Sequence, residues 1–159
     1  MEKLTFRQAT EADCGLVLSF IRELAEYEKM LPDVVATEQL LHQALFQDRR
    51  AEVIFALEDG VEVGFALYFH NFSTFVGRSG LYLEDLFVKP AYRGRGYGKA
   101  LLKRLAKIAL ERGCGRFEWV CLDWNAPSIA FYRSLGAVPQ DEWTIYRVAG
   151  DALQKLATE

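Results

Sequence analysis

The sequence predicts an α/β fold, a mixed central β-sheet flanked by helices on both faces, formed as one domain over residues 1–159. Three observations predict it. Segments with a two-residue period alternate along the chain with segments whose apolar positions recur at helical spacing. A strand, a glycine turn and a helix follow one another between residues 81 and 112. Hydrophobic residues make up 51% of the chain, enough for a sizeable single core.

Residues 4–8 alternate and form the first strand. Thr10-Glu11-Ala12-Asp13 is close to a capping box, with Thr10 as N-cap and Asp13 in the reciprocal place. The helix behind it sets Leu16, Val17, Phe20, Ile21 and Leu24 on one core-facing stripe, and Met30-Leu31-Pro32 ends it. A second helix is expected over 37–46. Residues 53–57 and 61–69, joined by Asp59-Gly60, carry the signal of a hairpin with a type I′ turn. A strand over 81–88 comes next. The helix over 99–112 carries Leu101, Leu102, Leu105 and Ile108 inward and is closed by Gly113. Another strand is expected over 116–122, with Cys121 in phase with Phe117 and Trp119 on a buried face. Asn125 as N-cap and Pro127 in the first turn start a further helix, which ends near Gly136. A last strand over 143–148 and a short helix over 151–157 complete the order.

Composition removes several classes of function. The net charge of −3, with no long basic run, does not suggest nucleic-acid binding. Three cysteines without a C-x-x-C pair argue for a reducing compartment and against a zinc site or a disulfide framework. With two histidines, a metal cluster is not expected. No signal-peptide core opens the chain and no 18 apolar residues run together, so a cytoplasmic protein without membrane association is expected.

The most specific stretch is Arg93-Gly94-Arg95-Gly96-Tyr97-Gly98. Glycines at alternate positions strip the turn of side chains, so that backbone N–H groups can converge on an anion. The helix terminus behind them adds roughly +0.5 of partial charge. A magnesium-dependent P-loop fails on spacing, because Gly98-Lys99 is followed by Ala100 and not by a hydroxyl residue. A dinucleotide fingerprint fails too, since its third glycine falls on Lys99. The spacing that fits is [RQ]-x-x-G-x-[GA], with Arg93, Gly96 and Gly98 in register.

Here the chain resembles the GNAT superfamily of acetyl-CoA-dependent N-acetyltransferases, and the resemblance runs nearly from end to end. It implies that acetyl-CoA is the cosubstrate and that the glycine turn holds the coenzyme pyrophosphate. The pantetheine arm would then pair with backbone groups of Leu86, Phe87 and Val88, beside a family bulge that splays this strand from 116–122. An N–H near Leu86 or Phe87 would face the thioester carbonyl. Asp123-Trp124-Asn125-Ala126-Pro127-Ser128 with Phe131-Tyr132 resembles the family's second coenzyme motif, in which Asn125 and Ser128 contact the coenzyme.

Two residues are expected to carry the chemistry. An alkyl amine with a pKa of ~10.4 is free base in about one molecule per thousand at neutral pH, so a proton acceptor is needed. Glu84 stands in an otherwise apolar strand, where partial desolvation would raise its pKa to a useful value. Strand parity turns Asp85 to the other face, so only one of the two is expected to meet the acceptor. The resemblance of Leu83-Glu84-Asp85 to polyamine-type acetyltransferases points to Glu84 and implies Asp85 as a binder of the amine. Tyr132 is the candidate acid for the departing thiolate. An acyl-cysteine route is disfavoured, because no histidine neighbours Cys121 in sequence.

Within the superfamily the likeness is greatest to the spermidine/spermine and thialysine acetyltransferase group. It rests on residues 22–29, Tyr82-Leu83-Glu84-Asp85 and Leu122-Asp123-Trp124-Asn125. Ser73-Thr74-Phe75 stands where polyamine-selective members carry an acidic residue and a tryptophan, which favours a small amino-acid-like amine. Tyr27 and Glu28 are expected to line the acceptor pocket. The resemblance also implies a homodimer. Acetylation of a protein or peptide, and a catalytically silent coenzyme A-binding sensor, are the alternatives.

Overall fold

The computed structural model describes residues 4–159, and it divides into two compact units, one ending at Val120 and one starting at Cys121. In the first unit β1 (Leu4–Gln8) is followed by a 3-10 turn, Glu11–Asp13, and then α1 (Cys14–Tyr27). Asp13 closes the reciprocal half of the capping box, accepting the Thr10 N–H at 2.7 Å. It is also paired with Arg7, whose guanidinium bonds hold the Asp13 carboxyl down at about 2. Next come α2 (Glu38–His42), β2 (Glu52–Glu58) and β3 (Val61–Ser73). Thr37 caps α2 by accepting the Leu40 N–H at 3.1 Å. Asp59 and Gly60 both have positive φ, 48° and 84°, as a type I′ hairpin turn requires. β4 (Arg78–Val88), α3 (Tyr97–Glu111) and β5 (Phe117–Trp119) complete this unit.

The five strands lie in chain order, antiparallel up to β4, with β5 parallel to β4. Phe55, Phe65 and Phe87 are cross-strand partners in sequence and form an aromatic row over three strands. Val17 and Phe20 of α1 and Leu41 of α2 pack on that row, Phe20 stacking on Phe65 at 5.1 Å. The opposite face takes α3, because Gly64 lets Val88 and Leu101 approach. Burying rows of this size supplies roughly 1.5–3 kcal/mol per large side chain, which fixes the sheet register.

The second unit holds α4 (Ala126–Ser134) and α5 (Gly150–Thr158). The expected strand over 143–148 is not formed. No ladder joins it to a strand among the described residues, and Trp143 and Tyr146 are 78% and 93% exposed. Alternation specifies a strand only where a neighbour satisfies its backbone groups. The strand expected over 116–122 is shorter for the same reason: its ladder with β4 runs through Phe117, Glu118 and Trp119, and the Arg116 carbonyl accepts the Leu81 N–H at 2.9 Å. Cys121 therefore lies outside β5, and it is half-buried and not in a core row.

Candidate active site

β4 is irregular where the chemistry is expected. Leu67 pairs with Asp85 and the next residue, Tyr68, with Leu83, so Glu84 is the extra residue of a bulge. The parallel ladder to β5 stops at Leu83↔Trp119. From Glu84 to Val88, β4 thus keeps β3 on one edge and has no paired strand on the other among the described residues. An edge of free N–H and C=O groups accepts an extended, amide-bearing chain as another strand would.

That edge runs into the glycine turn. Gly94 and Gly96 have φ of 80° and 81°, and a Cβ at either would meet nothing within 4 Å, so open space lies against the backbone. Gly96 is the N-cap of α3 and supplies no side-chain cap, which leaves the first N–H groups of a 15-residue helix for an anion. Such a cradle can hold an anionic group. The helix starts at Tyr97 and not at 99, so Gly98 lies in its first turn. The Arg93 Nε donates to the Val88 carbonyl at 2.9 Å, and its guanidinium lies 5.0 Å from the rings of both Tyr27 and Phe87. Arg95 pairs with Glu58, and the Tyr97 phenol donates to the same carboxylate.

Tyr27 and Arg93 share a cleft of about 260 Å³ with Glu23, Glu26, Phe87 and Pro90. Lys89 pairs with Glu23 at 3.6 Å. Close by, the helix-ending Glu28 and the β4 carboxylates form an acidic cluster. Asp85 has the parity of Phe87 and so faces α1, and burial first, then the charges of Glu84 and Glu28, push its carboxyl up to about 7. Burial and Glu84 raise Glu28 as well. The desolvation expected of Glu84 falls instead on Asp85, because the bulge leaves Glu84 exposed and interrupts the parity on which the expectation rested. Three coupled carboxylates favour a cation among them.

In the second unit, Asn125 is buried and its Oδ1 accepts the Ser128 N–H at 3.4 Å, capping α4. Tyr132 lies two turns along the same helix, half-buried, with its ring 5.6 Å from that of Phe131. Glu58 and Glu23 were not among the expected site residues. Glu58 closes a hairpin strand, and nothing in its local sequence distinguishes it from a solvated turn carboxylate.

This fold and this turn define a class of protein. The chain matches the acetyltransferase (GNAT) family over residues 19–137 and belongs to it. It is an acyltransferase of the N-acetyltransferase kind, with acetyl-CoA as cosubstrate. Among its relatives, the thialysine N-epsilon-acetyltransferase of Sus scrofa is 39% identical, the match covering 99% of each chain. The L-ornithine N5-acetyltransferase of Arabidopsis thaliana is 32% identical over 94% of this chain and 86% of that one. A solved integron cassette protein from the mobile metagenome of V. cholerae superposes with a TM-score of 0.82 at 32% identity, covering 98% of both.

Proposed function

We propose that this protein transfers the acetyl group of acetyl-CoA directly to a primary amine of a small amino-acid-like substrate, with thialysine ahead of polyamines. The observation that carries the reading is the continuity of one strand. A carboxylate cluster opens the unpaired stretch of β4, and the glycine turn closes it. The Ser73-Thr74-Phe75 loop and the names of the two enzyme relatives, both acting on amino-acid side-chain amines, support the choice of acceptor.

Acetyl-CoA supplies the activated acyl group. The Gly94–Gly98 backbone and the α3 terminus hold the anionic end. The Leu86, Phe87 and Val88 stretch orients the arm through those N–H and C=O groups that alternate onto its unpaired edge, where the Val88 carbonyl already accepts from Arg93. Glu28, Glu84 and Asp85 draw in the ammonium. A carboxylate that titrates near the working pH is the better proton acceptor, which favours Asp85 with Glu84 beside it, directly or through a water. Tyr132 is the proposed donor to the departing thiolate, with Asn125 and Ser128 as coenzyme contacts. A homodimer in the cytoplasm completes the proposal; among the described residues no helix is long and apolar enough to cross a membrane.

The test is acetyl-CoA-dependent thiol release across thialysine, lysine, ornithine, spermidine, spermine and a lysine peptide. Thialysine or ornithine should lead. A preference for spermidine or for the peptide would overturn the acceptor, and coenzyme binding without release from any amine would favour a sensor. Tyr132→Phe and Glu84→Gln should each lower turnover.

A further inference from the structure

We infer that Glu58, the last residue of β2, is the positioning residue that holds the coenzyme turn in its anion-binding shape. The inference rests on the coenzyme reading above and adds a residue outside the turn itself. Within residues 93–98 the chain alternates strictly between residues with side chains and glycines. Each side chain of the alternation is tied back to the fold. Arg93 donates to the Val88 carbonyl, while Arg95 and Tyr97 both reach Glu58. Gly94 and Gly96, between them, face open space.

The two Glu58 contacts bracket Gly96, the positive-φ residue on which the turn enters α3. They cross 37 and 39 residues of sequence. A turn with three glycines has much backbone entropy to lose on ordering. A single carboxylate, with its side chain only 12% exposed, fixes both flanks of the critical glycine at once. The ordering cost is then met in folding and not in coenzyme binding, which is how preorganisation raises affinity. The same pairing assigns Arg95 a structural part. Its charge is matched by Glu58, with its guanidinium 5.3 Å from the Tyr92 ring, so the pull on a phosphate comes from backbone N–H groups and the helix terminus.

Glu58→Ala and Glu58→Gln test this by calorimetric titration with coenzyme A and by steady-state kinetics. Glu58→Ala should weaken coenzyme A about tenfold, about 1.4 kcal/mol, and raise the KM for acetyl-CoA in parallel. Its kcat and its KM for the amine should stay near wild type. Glu58→Gln, which still accepts from Tyr97, should recover most of the loss, to within about threefold. Tyr97→Phe, nearly isosteric, gives the same split should Glu58→Ala not fold. A folded variant that binds coenzyme A as well as wild type overturns the inference. Tighter binding overturns it too, by showing that Glu58 withholds Arg95 from the phosphate. A fall in kcat with the coenzyme KM unmoved would leave Glu58 only a structural role. Failure of the wild type itself to bind coenzyme A would instead sink the functional reading and not the role of Glu58 in the turn.

Discussion

Asp85 and Glu84 are neighbours in sequence with opposite environments, and the difference makes a prediction. Asp85 titrates near 7 because burial and two nearby carboxylates oppose its ionisation. Below that pH the cluster loses both a charge and its matched proton acceptor, so kcat/KM should rise through about 7, on top of the slower rise from free amine. Asp85→Asn should remove this inflection and cost about 10²-fold or more in turnover. Glu84→Gln should retain it but move it to lower pH, because a like charge has gone. An inflection that survives Asp85→Asn unchanged would transfer the proton-accepting role to Glu84. Stability has the opposite sign. The folded protein holds the Asp85 proton more tightly than the unfolded chain, so its contribution is full at low pH and is lost as pH rises from the ordinary carboxylate range through about 7. Asp85→Asn should therefore raise Tm at pH 8, by roughly 2–4 °C per kcal/mol recovered. Of this site, the residue types were readable in sequence and the environments were not. Which carboxylate is desolvated depends on a one-residue bulge, and a bulge has no composition of its own.

The turn between β4 and α3 separates what a glycine does for the backbone from what it does for a ligand. Gly96 has φ 81° and faces empty space, whereas Gly98 has no positive φ and would place a Cβ 3.9 Å from Leu86, an ordinary contact. Gly96→Ala should cost about 1–2 kcal/mol of stability from the left-handed backbone and weaken coenzyme A more than tenfold, about 1.4 kcal/mol or more, because the new methyl enters the cradle. Gly98→Ala should be neutral or stabilising by about 0.5–1 kcal/mol, as for any glycine inside a helix. Thermal melts with and without coenzyme A would separate the two effects, and equal loss of affinity in both variants would argue against a cradle centred on Gly96. Elements of this kind were well marked in the sequence: the capping box, the Asp59-Gly60 hairpin and the Asn125 cap all form locally as expected. Elements that depend on a distant partner were not. The alternation in 116–122 and 143–148 is genuine, yet among the described residues only the first part of 116–122, up to Trp119, joins the sheet.

The unpaired 143–148 stretch bears on the state of the whole protein. Trp143, Ile145 and Tyr146 are 78%, 68% and 93% exposed, and Val148 47%, a concentration of large apolar side chains within six residues. Leaving them in water forgoes roughly 1.5–3 kcal/mol for each fully buried side chain, and clusters of this kind mark interaction surfaces more often than scattered apolar residues do. A second copy of the chain is the partner consistent with the homodimer proposed above. Its backbone could also satisfy groups that have no ladder in one copy. Sedimentation equilibrium should then give twice the 18.1 kDa of one chain. Tyr146→Asp should weaken the association by about 2 kcal/mol or more, as loss of an interface aromatic does, or roughly 30-fold in dissociation constant. The first unit should stay folded, with its far-UV spectrum kept, since its core row of Phe55, Phe65 and Phe87 lies before Val120. A wild-type protein that stays monomeric at micromolar concentration, or a Tyr146→Asp dimer as tight as wild type, would exclude this stretch as the contact and leave its exposed aromatics to be explained by another partner.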